Sequence, residues 1–293
     1  MQRPNGTTYV EKVNGEDTLV TFSVNRKGST YEINDDTATL VDKYYVQNVT
    51  DNIVVIETNA DALNEYKVIL NGKELTKDTD YTVEESGGNG QWMKYTYVVN
   101  KELFAEEGEY KLVISSKDKA KNDAFSDVKD TTINFVIDRT PPVVAVSGMA
   151  TDGRYKTDSQ KVTLIPTDDG GAIKSLIVRT VDKDGNVIKE LINLSDEALE
   201  KALEEGDGKI EFIISKGLYQ NVQIICDDRA VNEEGKSNTY DETFTNISVS
   251  SSGFMIFWAN KPLRWGSIAG VILLSVAIIF FIIFKKRKKE EQK

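Results

Sequence analysis

Two periods of apolar and polar residues divide this chain. From about residue 18 to residue 250, apolar side chains recur at every second position in short runs, the period of a strand with one face buried. From Trp265 to Phe284 the alternation stops, and twenty uncharged, mostly apolar residues follow one another. Twenty helical residues at about 1.5 Å each match a hydrocarbon core about 30 Å thick. The pattern therefore predicts an all-β chain closed by one C-terminal transmembrane helix.

The strand-period region has its own internal similarity. Thr18–Arg26, Thr131–Arg139 and Thr243–Val249 alternate in the same way, and Phe22, Phe135 and Ile247 stand 113 and 112 positions apart. Upstream lie Gly108-Glu-Tyr110 and Gly217-Leu-Tyr219, 109 apart. After each of these comes a strand and a turn, Asp118-Lys-Ala120-Lys-Asn122 and Asp228-Arg-Ala230-Val-Asn232, 110 apart. A period near 110 residues is a domain rather than one turn of a solenoid. The expected organisation is the last strand of a truncated upstream repeat over 1–28, one module over 29–140 and a second over 141–250. A juxtamembrane collar over 251–264, the helix over 265–284 and a basic tail over 285–293 complete it.

Within the first module the expected strands are Asn52–Thr58, Tyr66–Leu70, Tyr81–Glu85, Trp92–Asn100, Tyr110–Ser116 and Thr132–Asp138, with an Asn71-Gly72 hairpin turn. The second reads Val143–Ser147, Lys161–Pro166, Lys174–Asp182, Val187–Glu190, Lys209–Ser215, Asn221–Asp227 and Thr243–Val249, with a turn at Asp184-Gly185. About seven short strands in about 110 residues suggest a two-sheet sandwich. One helix is expected in the second module, capped by Ser195, favoured by Asp196 and Glu197 in its first turn and stopped by Gly206. Pro141 and Pro142 join the modules. Each fixes φ and removes an amide donor, so the joint is expected to be short and stiff and the pair rod-like.

Charge sets the orientation. Residues 285–293 carry six Lys or Arg and two Asp or Glu, net +4, whereas the other 284 residues carry 30 and 45, net −15. The cluster Lys285, Lys286 and Arg287 directly after the span places the C-terminus in the cytoplasm and the modules outside. Trp258 and Trp265 bracket the outer edge of the span, at the depth indoles prefer. The run Phe254–Trp258 reads either as an apolar collar on the bilayer or as the end of the last strand. The acidic exterior argues against nucleic acid or anionic lipid as a partner.

Chemistry is mostly excluded by composition. The chain has no histidine, which removes Ser-His-Asp triads, Cys-His pairs and most zinc sites. Its one cysteine, Cys226, forbids an internal disulfide, a usage that fits a bacterial surface protein better than a secreted animal module. No phosphate loop, nucleophile elbow or Ser-x-x-Lys is present. No cofactor or metal is expected. The calcium candidates are Asp138, Asp168-Asp169 and Asp182-x-Asp184-x-Asn186, and the last reads better as a hairpin turn because Gly185 falls at the fourth loop position and Asn193 at the twelfth.

The turn residues Asp118, Ala120, Asn122, Asp228, Ala230 and Asn232 read as structural, the Asp and Asn bonding their own backbone and the alanines pointing inward. Trp92 is the one ligand candidate. Alternation gives Met93, Tyr95, Tyr97 and Val99 to the core and turns Trp92 outward beside Gly87-Gly88-Asn89-Gly90, where an indole can stack on a sugar or peptide.

The Asp-x-Ala-x-Asn turn, followed by an alternating strand ending in Asp138-Arg139-Thr140-Pro141-Pro142-Val143, resembles the bacterial immunoglobulin-like repeats of Gram-positive surface proteins. The resemblance covers roughly residues 40–250. It implies tandem immunoglobulin-like β-sandwiches that serve as non-enzymatic spacers or adhesion modules, with a cell-wall or host glycan or protein as ligand. In that family such modules often stand beside an enzymatic or ligand-binding domain nearer the N-terminus, so the anchor region of an extracellular enzyme is the alternative reading, and a carbohydrate-binding module centred on Trp92 a further one. The family's Leu-Pro-x-Thr-Gly sorting signal is not matched by Lys261-Pro262-Leu263-Arg264-Trp265-Gly266. The span is therefore expected to be retained.

Overall fold

The computed structural model describes residues 6–13, 16–23, 28–88, 92–122 and 132–290. Near the N-terminus, β1 (Gly6–Val13) and β2 (Glu16–Ser23) pair antiparallel from Gly6↔Ser23 to Val13↔Glu16. Where one lone strand was expected over 1–28, two strands satisfy each other's ladders as a hairpin. Residues 24–26 of the expected strand lie outside the described residues.

The chain divides into two compact units, the hairpin falling in the first, with the change of unit along the chain between Thr140 and Pro141. The first also takes in the short segments Asp169–Ala172 and Asp228–Asn238 of the expected second module. The second holds Pro141–Asp168, Ile173–Asp227 and everything from Thr239 onward.

The first unit is built from β3 (Thr30–Ile33), α1 (Asp35–Lys43), β4 (Tyr45–Val46), β5 (Ile53–Asn59), β6 (Leu63–Leu70), β7 (Lys73–Glu74), β8 (Tyr81–Ser86), β9 (Met93–Val99), β10 (Gly108–Asp118) and β11 (Thr132–Ile137). One sheet runs β3-β5-β9-β8 and the other β4-β11-β10-β6-β7. The pairs are antiparallel except β4, which lies parallel to β11. Written in sandwich lettering, the sheets are A-B-E-D and A′-G-F-C-C′, the immunoglobulin order. One core between them holds Val55, Tyr97, Leu112 and Phe135.

Local chemistry explains the corners. Asn71 and Gly72 take φ of +47° and +81°, which makes the two-residue turn between β6 and β7 a primed hairpin. The Asn71 side chain then reaches β10, accepting from Lys111 N at 2.7 Å and donating to Glu109 O at 3.0 Å. The helix α1 has no apolar period long enough to predict it. Its ends are nonetheless chemically marked: Asn34 accepts from Thr37 N at 3.0 Å, Asp35 and Asp36 occupy the positive end and Lys43 the negative end.

The second unit contains β12 (Val143–Ser147), β13 (Arg154–Tyr155), β14 (Ser159–Thr167), β15 (Ile173–Val181), β16 (Val187–Ser195), α2 (Asp196–Glu205), β17 (Ile210–Ser215), β18 (Gly217–Val231) and β19 (Ser237–Val249). The sheet β12-β14-β17 faces a sheet ordered β13-β19-β18-β15-β16 around a separate core that includes Val162, Leu176, Ile224 and Cys226. In the same lettering these are A-B-E and A′-G-F-C-C′, with α2 where a D strand would run. The Ser195 side chain makes no capping bond to α2, although Ser195 is the cap residue by position and Gly206 ends the helix.

Beyond β19 the chain turns helical as α3 (Gly253–Ala259) and α4 (Lys261–Glu290). The strand alternative for Phe254–Trp258 is thereby corrected: Ser252 caps the segment by accepting from Met255 N at 3.4 Å, and the backbone closes from Ile256 N to Ser252 O at 3.1 Å.

Candidate functional site

Trp92 stands just before β9 and is 43% exposed. Along β9, Tyr95, Tyr97 and Val99 are buried and Met93 is half-buried, while Lys94 faces solvent. The glycine at 87 has φ +95°, and a Cβ there would lie 2.1 Å from the Trp92 carbonyl oxygen, so only glycine allows this close approach of the two loop ends. Residues 89 and 90 of the expected loop lie outside the described residues.

The two Asp-x-Ala-x-Asn turns differ from one another. In the first, Asp118 accepts from Asn122 N at 2.8 Å and from its Nδ2 at 2.9 Å, closing a five-residue turn that leaves Ala120 exposed. In the second, β18 runs three residues past Asp228, so Asp228 and Ala230 continue the buried face of Val222, Ile224 and Cys226. The turn is closed instead by Asn232, whose Oδ1 accepts from Lys236 N at 2.9 Å. The inward alanine expected of both turns is found at Ala230 only.

Asp228 accepts from Ala230 N at 3.0 Å and from Asn238 N and Nδ2 at 3.2 and 2.7 Å. The same Asn238 amide donates to the Asp138 carbonyl at 3.1 Å, and the Asp138 carboxylate accepts from Thr140 N at 2.9 Å. Asp138 and Asp228 are both buried, with carboxylate oxygens within 4.8 Å of each other. These amide donors offset part of the repulsion between them. Asp182 makes an ordinary hairpin turn with Asn186: its carboxylate accepts from Asn186 N at 2.8 Å and Nδ2 at 2.9 Å, and those bonds hold its pKa below the usual carboxylate range. At the joint, Pro141 is exposed and Pro142 buried, directly ahead of β12.

The most unusual polar group was not singled out in the sequence. Glu57 lies on β5 at a core-facing position, two residues beyond Val55, and is fully buried. Its Oε1 accepts from Ser29, from Ser116 at 2.5 Å and from Tyr31 at 3.2 Å. Its Oε2 accepts from Tyr97 at 2.5 Å. Burial first, and the Glu57 charge next, push the Tyr31 and Tyr97 phenols well above the ordinary tyrosine range. The alternation of Ile53, Val55, Glu57 and Asn59 was the available signal. The arrangement is enclosed, so it stabilises the sandwich rather than meeting a substrate.

The other exposed feature is the end of the second unit. Lys261–Ile283 is a 23-residue helix stretch long and apolar enough to cross a membrane, and none of its most apolar eighteen-residue window is buried by the rest of the described chain. Ahead of it, α3 exposes Phe254, Met255, Phe257 and Trp258 and buries only Ala259. Phe254 and Trp258 stack with centroids 5.9 Å apart. The Arg264 guanidinium lies over Trp258 and Trp265, 5.5 and 5.6 Å from their ring centroids. Lys285, Lys286 and Arg287 continue α4, and their side chains lie outside what is described.

Among known proteins, no family model matches the chain, and no curated protein does. A solved structure of the N-terminal eight Ig domains of Down Syndrome Cell Adhesion Molecule, isoform 1.30.30, is similar over 83% of this chain at 14% identity, with a TM-score of 0.21. This chain spans about a third of that one, 32% of its length. At that score the likeness carries no argument, and the immunoglobulin-type reading rests on the strand order within each unit.

Proposed function

We propose that this is a non-enzymatic, single-span surface protein of a Gram-positive bacterium, whose two immunoglobulin-like modules form a tandem extracellular stalk or adhesion segment. The observation that carries the anchoring is the uncovered apolar stretch of α4. Leaving this stretch in water would expose far more contiguous apolar surface than soluble proteins tolerate, whereas a helix about 35 Å long suits a bilayer. The tandem reading is supported by the shared A-B-E and A′-G-F-C-C′ orders of the two units and by the sequence offsets near 110. The cations after the span favour a cytoplasmic C-terminus.

Fractionation of cells expressing the full chain, followed by external protease, tests this reading. The protein should stay with membranes after alkaline carbonate washing, and the protease should remove the modules while sparing a tag on the C-terminus. A carbonate-soluble protein, or a tag cut from outside, would overturn it. The exposure of Trp92 favours a second role, stacking on a cell-wall or host glycan or on a peptide. Glycan-array and peptide binding that Trp92→Ala leaves unchanged would remove it.

A further inference from the structure

Whole-chain charge argues against anionic lipid as a partner, and the foot of the second unit reverses that argument. We propose that α3 and the cations around it form a bilayer-docking face that seats the second unit on anionic phospholipid headgroups of the outer leaflet. The inference rests on α4 being a span, and it adds a second, separable contact with the same membrane.

Shape comes first. At roughly 1.5 Å per residue, the seven residues of α3 span about 10 Å, too short to cross a bilayer and suited to lying along its surface. The helix turns outward Phe254, 68% exposed, with Met255, Phe257 and Trp258 at 44%, 38% and 42%. Four large apolar side chains within five residues form a patch that needs a cover.

Continuity identifies the cover. Only Asn260 separates α3 from α4, and its Oδ1 accepts from Leu263 N at 3.3 Å while Arg264 N donates to its carbonyl at 2.9 Å. With one residue of slack, α3 cannot leave the level at which α4 enters the bilayer. It is also fastened to the domain. The Tyr219 hydroxyl donates to the Trp258 carbonyl at 3.4 Å, and the Lys261 ammonium lies 5.8 Å from the Tyr219 ring centroid. Embedding α3 therefore holds the foot of the second unit to the membrane.

Charge identifies the lipid. The Lys156 ammonium would lie 3.6 Å from a Cβ built on Gly253, which places it beside the start of α3. Lys261 and Arg264 follow its end. Lys216 is bridged to Asp158 at 2.5 Å, and that contact holds the Asp158 carboxyl below its usual range, so neither is assigned to the lipid. Three cations thus flank an apolar patch at headgroup level, where tryptophan and basic side chains meet phosphates. The net −15 belongs to the whole 284 residues before the tail. At physiological salt a charge is felt over about 8 Å, so local sign decides the contact.

The chain has three tryptophans, which makes the test direct. The full-length protein is reconstituted in nanodiscs whose lipids are brominated high on the acyl chains, in phosphatidylcholine with and without phosphatidylglycerol. W92F/W265F leaves Trp258 as reporter, and W92F/W258F leaves Trp265. The expected result is that bromolipid reduces Trp258 emission about twofold, as for an interfacial side chain, that aqueous acrylamide scarcely reaches it, and that phosphatidylglycerol deepens the bromolipid quenching. Lys156→Gln/Lys261→Gln/Arg264→Gln in the Trp258 reporter should abolish the phosphatidylglycerol increment. Trp265 quenched by bromolipid while Trp258 responds only to acrylamide would overturn the docking face and leave the span intact. Trp258 shielded from both quenchers would mean a protein cover and would equally overturn it. No phosphatidylglycerol increment would refute the anionic-lipid assignment, and Trp265 escaping bromolipid would bring down the span reading itself.

Discussion

Replacing Tyr97 by phenylalanine removes one oxygen atom from the core of the first unit and should cost more than that volume suggests. The ring keeps its edge contact with Tyr66, 5.6 Å away. What disappears is the hydroxyl that donates to Glu57 Oε2 at 2.5 Å, while Ser29, Tyr31 and Ser116 all serve Oε1. A hydrogen bond to a charged group contributes about 1.5–3 kcal/mol, because the carboxylate gave up its water to enter the core. A neutral bond contributes about 0.5–1.5 kcal/mol. Tyr95→Phe supplies that comparison in the same strand: the Tyr95 hydroxyl accepts from Leu63 N at 3.0 Å and its ring is likewise buried. At about 4–8 °C per kcal/mol for a domain near one hundred residues, Tyr97→Phe should lower the unfolding midpoint by roughly 10 °C and Tyr95→Phe by roughly 5 °C. Thermal unfolding of the full chain in detergent, followed by circular dichroism, gives both numbers. Glu57→Gln combined with Tyr97→Phe should cost less than the two single changes added together, since they share one bond. Equal losses for Tyr97→Phe and Tyr95→Phe, or strict additivity with Glu57→Gln, would refute a charged carboxylate held by this phenol.

Alkali should act on the same cluster. Free phenols ionise near pH 10, whereas Tyr31 and Tyr97 are held above that by burial and by Glu57, so their contribution is complete below about pH 10 and falls as pH rises toward the folded values. Phenolate absorbance at 295 nm should therefore appear in two stages, the last tyrosines ionising only as the fold is lost. Smooth titration of all twelve with the circular dichroism unchanged would contradict it. Two glycines with nearly equal φ separate strain from collision. Gly148 has φ +83° and a Cβ there would sit 2.4 Å from Lys161 O, whereas Gly72 has φ +81° and open space. Gly72→Ala should cost about 1 kcal/mol and Gly148→Ala distinctly more, up to about 3 kcal/mol, by denaturant unfolding; equal costs would show that the strand around Lys161 yields.

Strands long enough to show a period were legible. Val143–Ser147 is found with the same ends, and Lys174–Asp182 shifts by one residue to Ile173–Val181, because four or more alternating positions commit a segment to one face. Most of what escaped were pieces too short to show a period, the four-residue β3 among them. The strands β4, β7 and β13 have two residues each, and no alternation can be read from two. The helix α1 escaped for another reason: its nine residues bury only Thr37 and Leu40, so packing leaves too little pattern and the cap at Asn34 carries the information. Over 1–28 one strand was expected where a hairpin stands, since a similarity between repeats marks the matching strand and ignores its partner.

Residues that occupy equivalent places in the two repeats do not take equivalent structural parts. The offset of 110 that aligns Asp118 with Asp228 is correct as an offset, yet β18 extends past the second aspartate and β10 stops at the first, so one residue closes a turn and the other enters a buried network. At Glu57 the local pattern prevails over residue type. Its place in the alternation points inward, and four hydroxyls there replace the water it lost on entering the core. The same logic governs the end of the second unit. An exterior summing to −15 carries the expectation that anionic lipid is repelled, whereas a sum over 284 residues does not describe Lys156 beside Gly253 or Lys261 and Arg264 just after α3. Fields decay within about a nanometre at physiological salt, so each surface of a protein meets its partner with its own sign.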